Sequence, residues 1–111
     1  MKHYMRLHPE PFDKIKNGTK TIEMRLYDEK RQLLKVGDLI EFTNRANSEK
    51  ILTEVTNLYV FSSFSELYSH FDREILGYDM DEEANPKDLE IYYPKEEQEQ
   101  YGVVAIEIKK V

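Results

Sequence analysis

Cysteine is absent from this 111-residue chain, as are any glycine-rich phosphate loop and any G-x-S-x-G turn. Without cysteine there is no disulfide framework, no zinc–thiolate site and no thiol nucleophile, and a cytoplasmic location is the expectation. No apolar run approaches the roughly 18–20 residues that a membrane span needs. The N-terminal MKHYMRLHPEP lacks the apolar segment of a signal peptide. His3, His8 and His70 show no metal-ligand spacing, so neither a metal nor another cofactor is expected. No repeat or linker interrupts the chain, and its length fits one domain over residues 1–111.

The charge that is present is unevenly spread. Residues 1–50 hold 11 Lys+Arg against 8 Asp+Glu, a balance of +3, whereas residues 51–111 hold 5 against 14, a balance of −9. Affinity for nucleic acid rests largely on neutralising phosphates. An extended duplex lying across the whole surface would therefore be repelled by the second half. Any anionic ligand has to be small, or gripped locally by the first half. A hydrophobic content of 40% and eight tyrosines suit a packed fold rather than a disordered chain.

Residues 4–7 read as a short strand stopped at His8-Pro9. Proline suits the first turn of a helix, Phe12 and Ile15 share one face of it, and Asn17-Gly18 supplies a left-handed stop. Residues 21–26 alternate, with Ile22, Met24 and Leu26 on the apolar side and Thr21, Glu23 and Arg25 on the other. Val36-Gly37-Asp38 turns into a strand at 39–43. Residues 51–61 form a long β run whose imperfect alternation predicts a bulge. Ser63-Phe64-Ser65-Glu66 is a capping box that opens an amphipathic helix through Phe64, Leu67, Tyr68 and Phe71. Residues 72–93 carry no clear period, and the acidic stretch at 79–83 reads as a solvated loop. Pro94 can open a last helix before Gly102, and residues 103–109 close the chain as a strand. The order β-α-β-β-β-α-β predicts an α+β fold, a small twisted sheet or partly closed β-barrel with short helices over its ends.

The residues that carry chemistry cluster between the first helix and the second strand: Gly18, Lys20, Glu23, Arg25 and Tyr27. This run resembles the ASCH domain (activating signal cointegrator homology), whose pattern G-x-K-x-x-E-x-R is complete here as Gly18, Lys20, Glu23 and Arg25. The preceding PFDKIKNG, the turn Gly37-Asp38 with Ile40 and Phe42, and the terminal YGVVAIEIK are also similar to that family, so the resemblance spans the chain. It implies a PUA-like barrel with a pocket beside the motif for RNA or a nucleoside- or nucleotide-like ligand. Gly18, Gly37 and Asp38 would then be structural parts of the motif turns. Some bacterial members hydrolyse N4-acetylcytidine with a lysine, a threonine three residues later and a distal glutamate. Lys20 matches the lysine, and Glu23 stands in the threonine position. A ribonuclease activity has been proposed for other members.

Each group has a chemical role to offer. An ammonium beside a carboxylate is expected to stay charged, so Lys20 suits an anion or a carbonyl, and it serves as a base only if burial depresses its pKa. Arg25 presents a planar fork for phosphate or a base edge. Glu23 can accept from an exocyclic amine such as cytosine N4, or can hold backbone N–H groups in place. In an enzyme, Lys20 and Glu23 are the candidate catalytic pair. Tyr27, next to the motif, is the first choice for stacking on a base, with Tyr92 and Tyr93 behind it.

Overall fold

The computed structural model describes residues 1–111. The chain runs β1 (Lys2–Leu7), α1 (Pro9–Lys16), β2 (Ile22–Leu26), a 3-10 turn (Arg31–Leu33), β3 (Leu39–Asn44) and β4 (Lys50–Phe61). It continues through α2 (Phe64–His70), α3 (Arg73–Leu76), α4 (Lys87–Glu90) and α5 (Lys95–Tyr101) to β5 (Val103–Lys110). All five strands join one sheet in the order β1-β3-β4-β5-β2, curled into a half-barrel. The pair β1–β3 is parallel and the other pairs are antiparallel. The predicted strands and the longer helices are present, and α3 and α4 are single turns within the stretch that lacked a period.

Both faces of the sheet are covered, which gives the protein two cores. Phe12, Ile15, Ile40, Phe42, Val55, Val104 and Ile106 fill the concave side beneath α1. Ile22, Met24, Val103 and Ala105 pack on the other side against Phe64 and Leu67 of α2 and Leu76 of α3. The predicted bulge in β4 reconciles its sequence with these two cores. Val55 lies opposite Ile108 while Asn57 lies opposite Glu107, so Thr56 is the extra residue. Val55 before the bulge and Leu58 after it therefore face the same core, and Tyr59 and Phe61 face the other. One inserted residue has switched the side-chain parity of the strand.

The ends of the elements follow their sequence signals. The Ser63 hydroxyl accepts from the Glu66 N–H at 3.2 Å, the bond that the capping box requires. Asp38 secures the entrance to β3: its carboxylate accepts from the Lys35 N–H at 3.1 Å and meets His3 Nε2 at 2.8 Å. The acidic stretch is an exposed loop, as expected, and its Asp79 and Glu82 lie 3.3 and 3.5 Å from Lys14 Nζ. No helix is long and apolar enough to cross a membrane.

Candidate functional site

The register between β2 and β5 determines what the motif faces. Glu23 lies opposite Ile106 and Arg25 opposite Val104, so both point to the concave side of the sheet, while Ile22 and Met24 turn to the helices. The alternation read from sequence is therefore correct in its sides, but the polar side is enclosed. The Lys20, Glu23 and Arg25 side chains are only 4%, 7% and 13% exposed.

These three form one cluster centred on Glu23. Its Oε2 accepts from Arg25 Nε at 3.1 Å and Nη2 at 2.9 Å. Its Oε1 accepts from the Met24 backbone N–H at 3.0 Å and lies 3.5 Å from Lys20 Nζ. Lys20 Nζ also donates to the Leu76 carbonyl at 2.7 Å, at the end of α3. Arg25 Nη2 makes a further bond to the Arg6 carbonyl at 3.1 Å. Because β1 and β2 are the edges of the sheet, that bond crosses the open seam of the half-barrel. Glu23 thus anchors two cations and one edge N–H, and its own accepting capacity is used within the chain.

The electrostatics follow from this geometry. Burial pushes the Glu23 carboxyl up, but the charges of Arg25 and Lys20 and the Met24 N–H outweigh it and hold the pKa below its ordinary value. For Lys20 burial wins over the attraction of Glu23, and the ammonium titrates below its ordinary range. The expected push from the neighbouring carboxylate is present, but burial outweighs it. Lys20 lies in the interior rather than at a solvated strand start.

A cavity of about 530 Å³ opens over the cluster, within the range of about 300–1,000 Å³ usual for small-molecule sites. Lys20, Glu23 and Arg25 form its floor, and Tyr68, Tyr78, Tyr92 and Tyr93 line its walls. Arg6, His8 and Arg45 stand along one edge and Asp88 belongs to another part of the lining. The Tyr68 and Tyr78 hydroxyls are 2.7 Å apart, and Tyr78 donates onward to Asp88 Oδ2 at 3.0 Å. Burial pushes the Tyr68 phenol up to about 12 and drives Tyr78 still further in the same direction. Both therefore stay protonated at neutral pH.

The wall is held in place by lysines. Lys14 Nζ donates to the Gly77 carbonyl at 2.6 Å, beside the bond from Lys20 to Leu76. Gly77 has φ +105°, and a Cβ there would come within 3.0 Å of Lys20 Cδ. Glycine is required at this point both by the left-handed backbone and by the close approach of Lys20.

Of the residues singled out in sequence, Lys20, Glu23 and Arg25 meet at the floor, and Tyr92 and Tyr93 reach the cavity. Tyr27 does not. It is half-buried and packs on the concave core, outside the lining to which Tyr92 and Tyr93 belong. The residue follows β2 and has passed beyond the mouth. Gly18 and Gly37 occupy turns with φ +87° and +94°, and Asp38 is a buried turn anchor remote from the cavity lining. Sequence reasoning missed Tyr68, Tyr78 and Asp88. Tyr68 was visible only as part of the apolar stripe of α2, and the other two lie in the stretch without a period.

A five-stranded half-barrel sheet with several short helices is the α+β architecture of a PUA-like domain. The ASCH domain profile matches residues 5–111, and the chain belongs to the ASCH domain family, whose PUA-like fold is of an RNA-binding type. Among solved structures, the crystal structure of hypothetical protein PH0355 is 35% identical over 100% of both chains, with a TM-score of 0.84. The solution structure of protein PF0455 from Pyrococcus furiosus is 34% identical, covering 100% of this chain and 98% of that one, with a TM-score of 0.72. A mutant ASCH protein from Zymomonas mobilis shares the fold at 18% identity and a TM-score of 0.70, with 98% of this chain and 70% of that one aligned. Comparison with curated protein sequences gives no match.

Proposed function

We propose that the cavity binds an unpaired nucleobase, presented by single-stranded RNA or by a nucleoside or nucleotide. The observation that carries this reading is a cavity of about 530 Å³ with a buried charged floor and tyrosine walls. Aromatic walls take the face of a base, and fixed polar groups read its edge. With both Glu23 oxygens already accepting, the floor offers donors rather than acceptors. Arg25 holds donors beyond those given to Glu23 and Arg6, beside Tyr93, and Lys20 retains ammonium hydrogens beyond the one given to Leu76. Such a floor suits a base carbonyl oxygen, and Glu23 acts by aiming its two cations. Tyr92, 59% exposed at the mouth, stacks on the base as it enters.

The depressed pKa of Lys20 supports a second reading, amide hydrolysis of N4-acetylcytidine. In its neutral form Lys20 takes a proton from the water that adds to the acetyl carbonyl. As the C–N4 bond breaks, protonated Lys20 passes that proton to N4, so cytidine leaves with its amine restored and the acetic acid gives up its own proton to solvent as acetate. In that reading Glu23 is a positioning residue, holding Lys20 from 3.5 Å.

A titration panel of the four common nucleosides, N4-acetylcytidine and a short single-stranded RNA tests both readings. The parent protein binds at least one member, and Tyr92→Ala weakens that binding tenfold or more with an unchanged melting curve, because stacking contributes about 1–3 kcal/mol per base. Release of acetate from N4-acetylcytidine supports the hydrolytic reading, and its absence removes that reading alone. Failure to bind any member contradicts the nucleobase site.

A further inference from the structure

The floor cations are neutralised in part by Glu23 and turn their remaining donors to the base edge, so a phosphate needs other cations. Two other cations at the cavity have no such commitments. Arg6 and Arg45 both line it, both are exposed, and neither guanidinium makes a hydrogen bond or ion pair within the chain. The fold brings them to one edge. In the parallel β1–β3 register Leu7 lies opposite Asn44, and the Arg45 N–H donates to the Leu7 carbonyl at 2.9 Å. Both arginines therefore stand at the C-terminal end of the same strand pair, on the far side of the seam that Arg25 bridges to Arg6. His8 continues that edge, its ring 6.3 Å from that of Tyr92.

Resting on the nucleobase reading above, we infer that the site is built for a phosphorylated nucleotide, with the base over Glu23 and Arg25 and the phosphate on Arg6 and Arg45. The physical reasons are complementary. An arginine fork matches phosphate geometry in pairs of hydrogen bonds, and a side chain with no partner within the chain has no ion pair to break before it turns to an anion. The rest of the surface restricts the alternatives. The second half of the sequence carries a balance of −9, whereas Arg6 and Arg45 belong to the half with +3. Among the lining residues, Arg6 and Arg45 supply exposed positive charge, whereas Glu10 and Asp88 supply negative charge. The same chemistry serves a free nucleoside monophosphate or the phosphodiester of a strand.

Equilibrium binding separates these cases. The parent protein and an Arg6→Gln, Arg45→Gln double variant are titrated with one nucleoside, its 3′- and 5′-monophosphates and a short single-stranded RNA carrying the same base, at two salt concentrations. The phosphate-bearing ligands bind the parent roughly tenfold or more tightly than the nucleoside, and salt weakens that advantage. The double variant loses the advantage and keeps the nucleoside affinity, since neither side chain supports the fold. An advantage confined to the RNA assigns the site to a strand, and one confined to the monophosphates assigns it to a free nucleotide. Equal binding of nucleoside and phosphate forms by the parent overturns this inference and leaves the nucleobase site standing. An undiminished advantage in the double variant also overturns it. Failure of every ligand to bind removes both.

Discussion

Glu23 is surrounded by partners that depend on it: two cations and the Met24 N–H meet its carboxylate largely shielded from bulk water. Removing one member of a buried ionic cluster leaves the others desolvated and unpaired, which typically costs about 3–5 kcal/mol. Glu23→Ala is therefore expected to lower the unfolding free energy by about that amount in a denaturant titration. A loss under about 1 kcal/mol, the level of an exposed pair, would contradict the cluster as described. Arg25 belongs to the same network and also crosses the seam, so its truncation is a change of fold stability as well as of binding. The identity of these residues was legible in sequence, because one strand carries them at a fixed spacing. Their burial was not. Alternation separates the two sides of a strand but does not report what covers each side, and here α2 and α3 cover one while α1 and the curl of the sheet enclose the other.

Among the elements, the start of β3 is held by a carboxylate whose charge can be titrated. The hydrogen bond from His3 is the largest influence on Asp38; against the opposing effect of burial, it and the bonds from the Met1 ammonium and the Lys35 N–H bring the pKa from 3.8 down to about 2. A folded-state pKa below the unfolded one means that ionised Asp38 stabilises the fold fully above pH 3.8, and that this stabilisation is lost as the pH falls through about 2. Asp38→Asn should thus be less stable than the parent at pH 7, by about 1–3 kcal/mol for lost bonds to a charged acceptor. Melting curves taken at descending pH should converge as pH 2 is approached. A gap that stays constant with pH would show that the charge is not the cause. The long elements were legible because period and caps agree: the capping box at Ser63, the left-handed Gly18 and the bulge in β4 all appear where the sequence placed them. The single turns α3 and α4 were not, since four residues are too few to display a period. They are set instead by contacts remote in sequence, as where Lys14 and Lys20 hold the carbonyls of Gly77 and Leu76.

At the scale of the whole molecule, the cavity exists because segments far apart in sequence converge at the open seam of the sheet. The end of β1 supplies Arg6, β2 supplies the floor, and residues 68–93 supply the tyrosines. The positive half of the chain forms the floor and the arginine edge, while the negative half provides most of the aromatic wall. That division agrees with a site that accepts a flat, partly anionic ligand locally and repels an extended duplex elsewhere. The most direct measurement is an amide chemical-shift map of the parent protein titrated with a short single-stranded RNA. The account predicts saturable shifts at residues 20–25, 76–78 and 92–93, spreading to Arg6 and Arg45, with residues 36–38 and 62–65 unmoved. Shifts absent throughout, or centred away from the cavity, would contradict it.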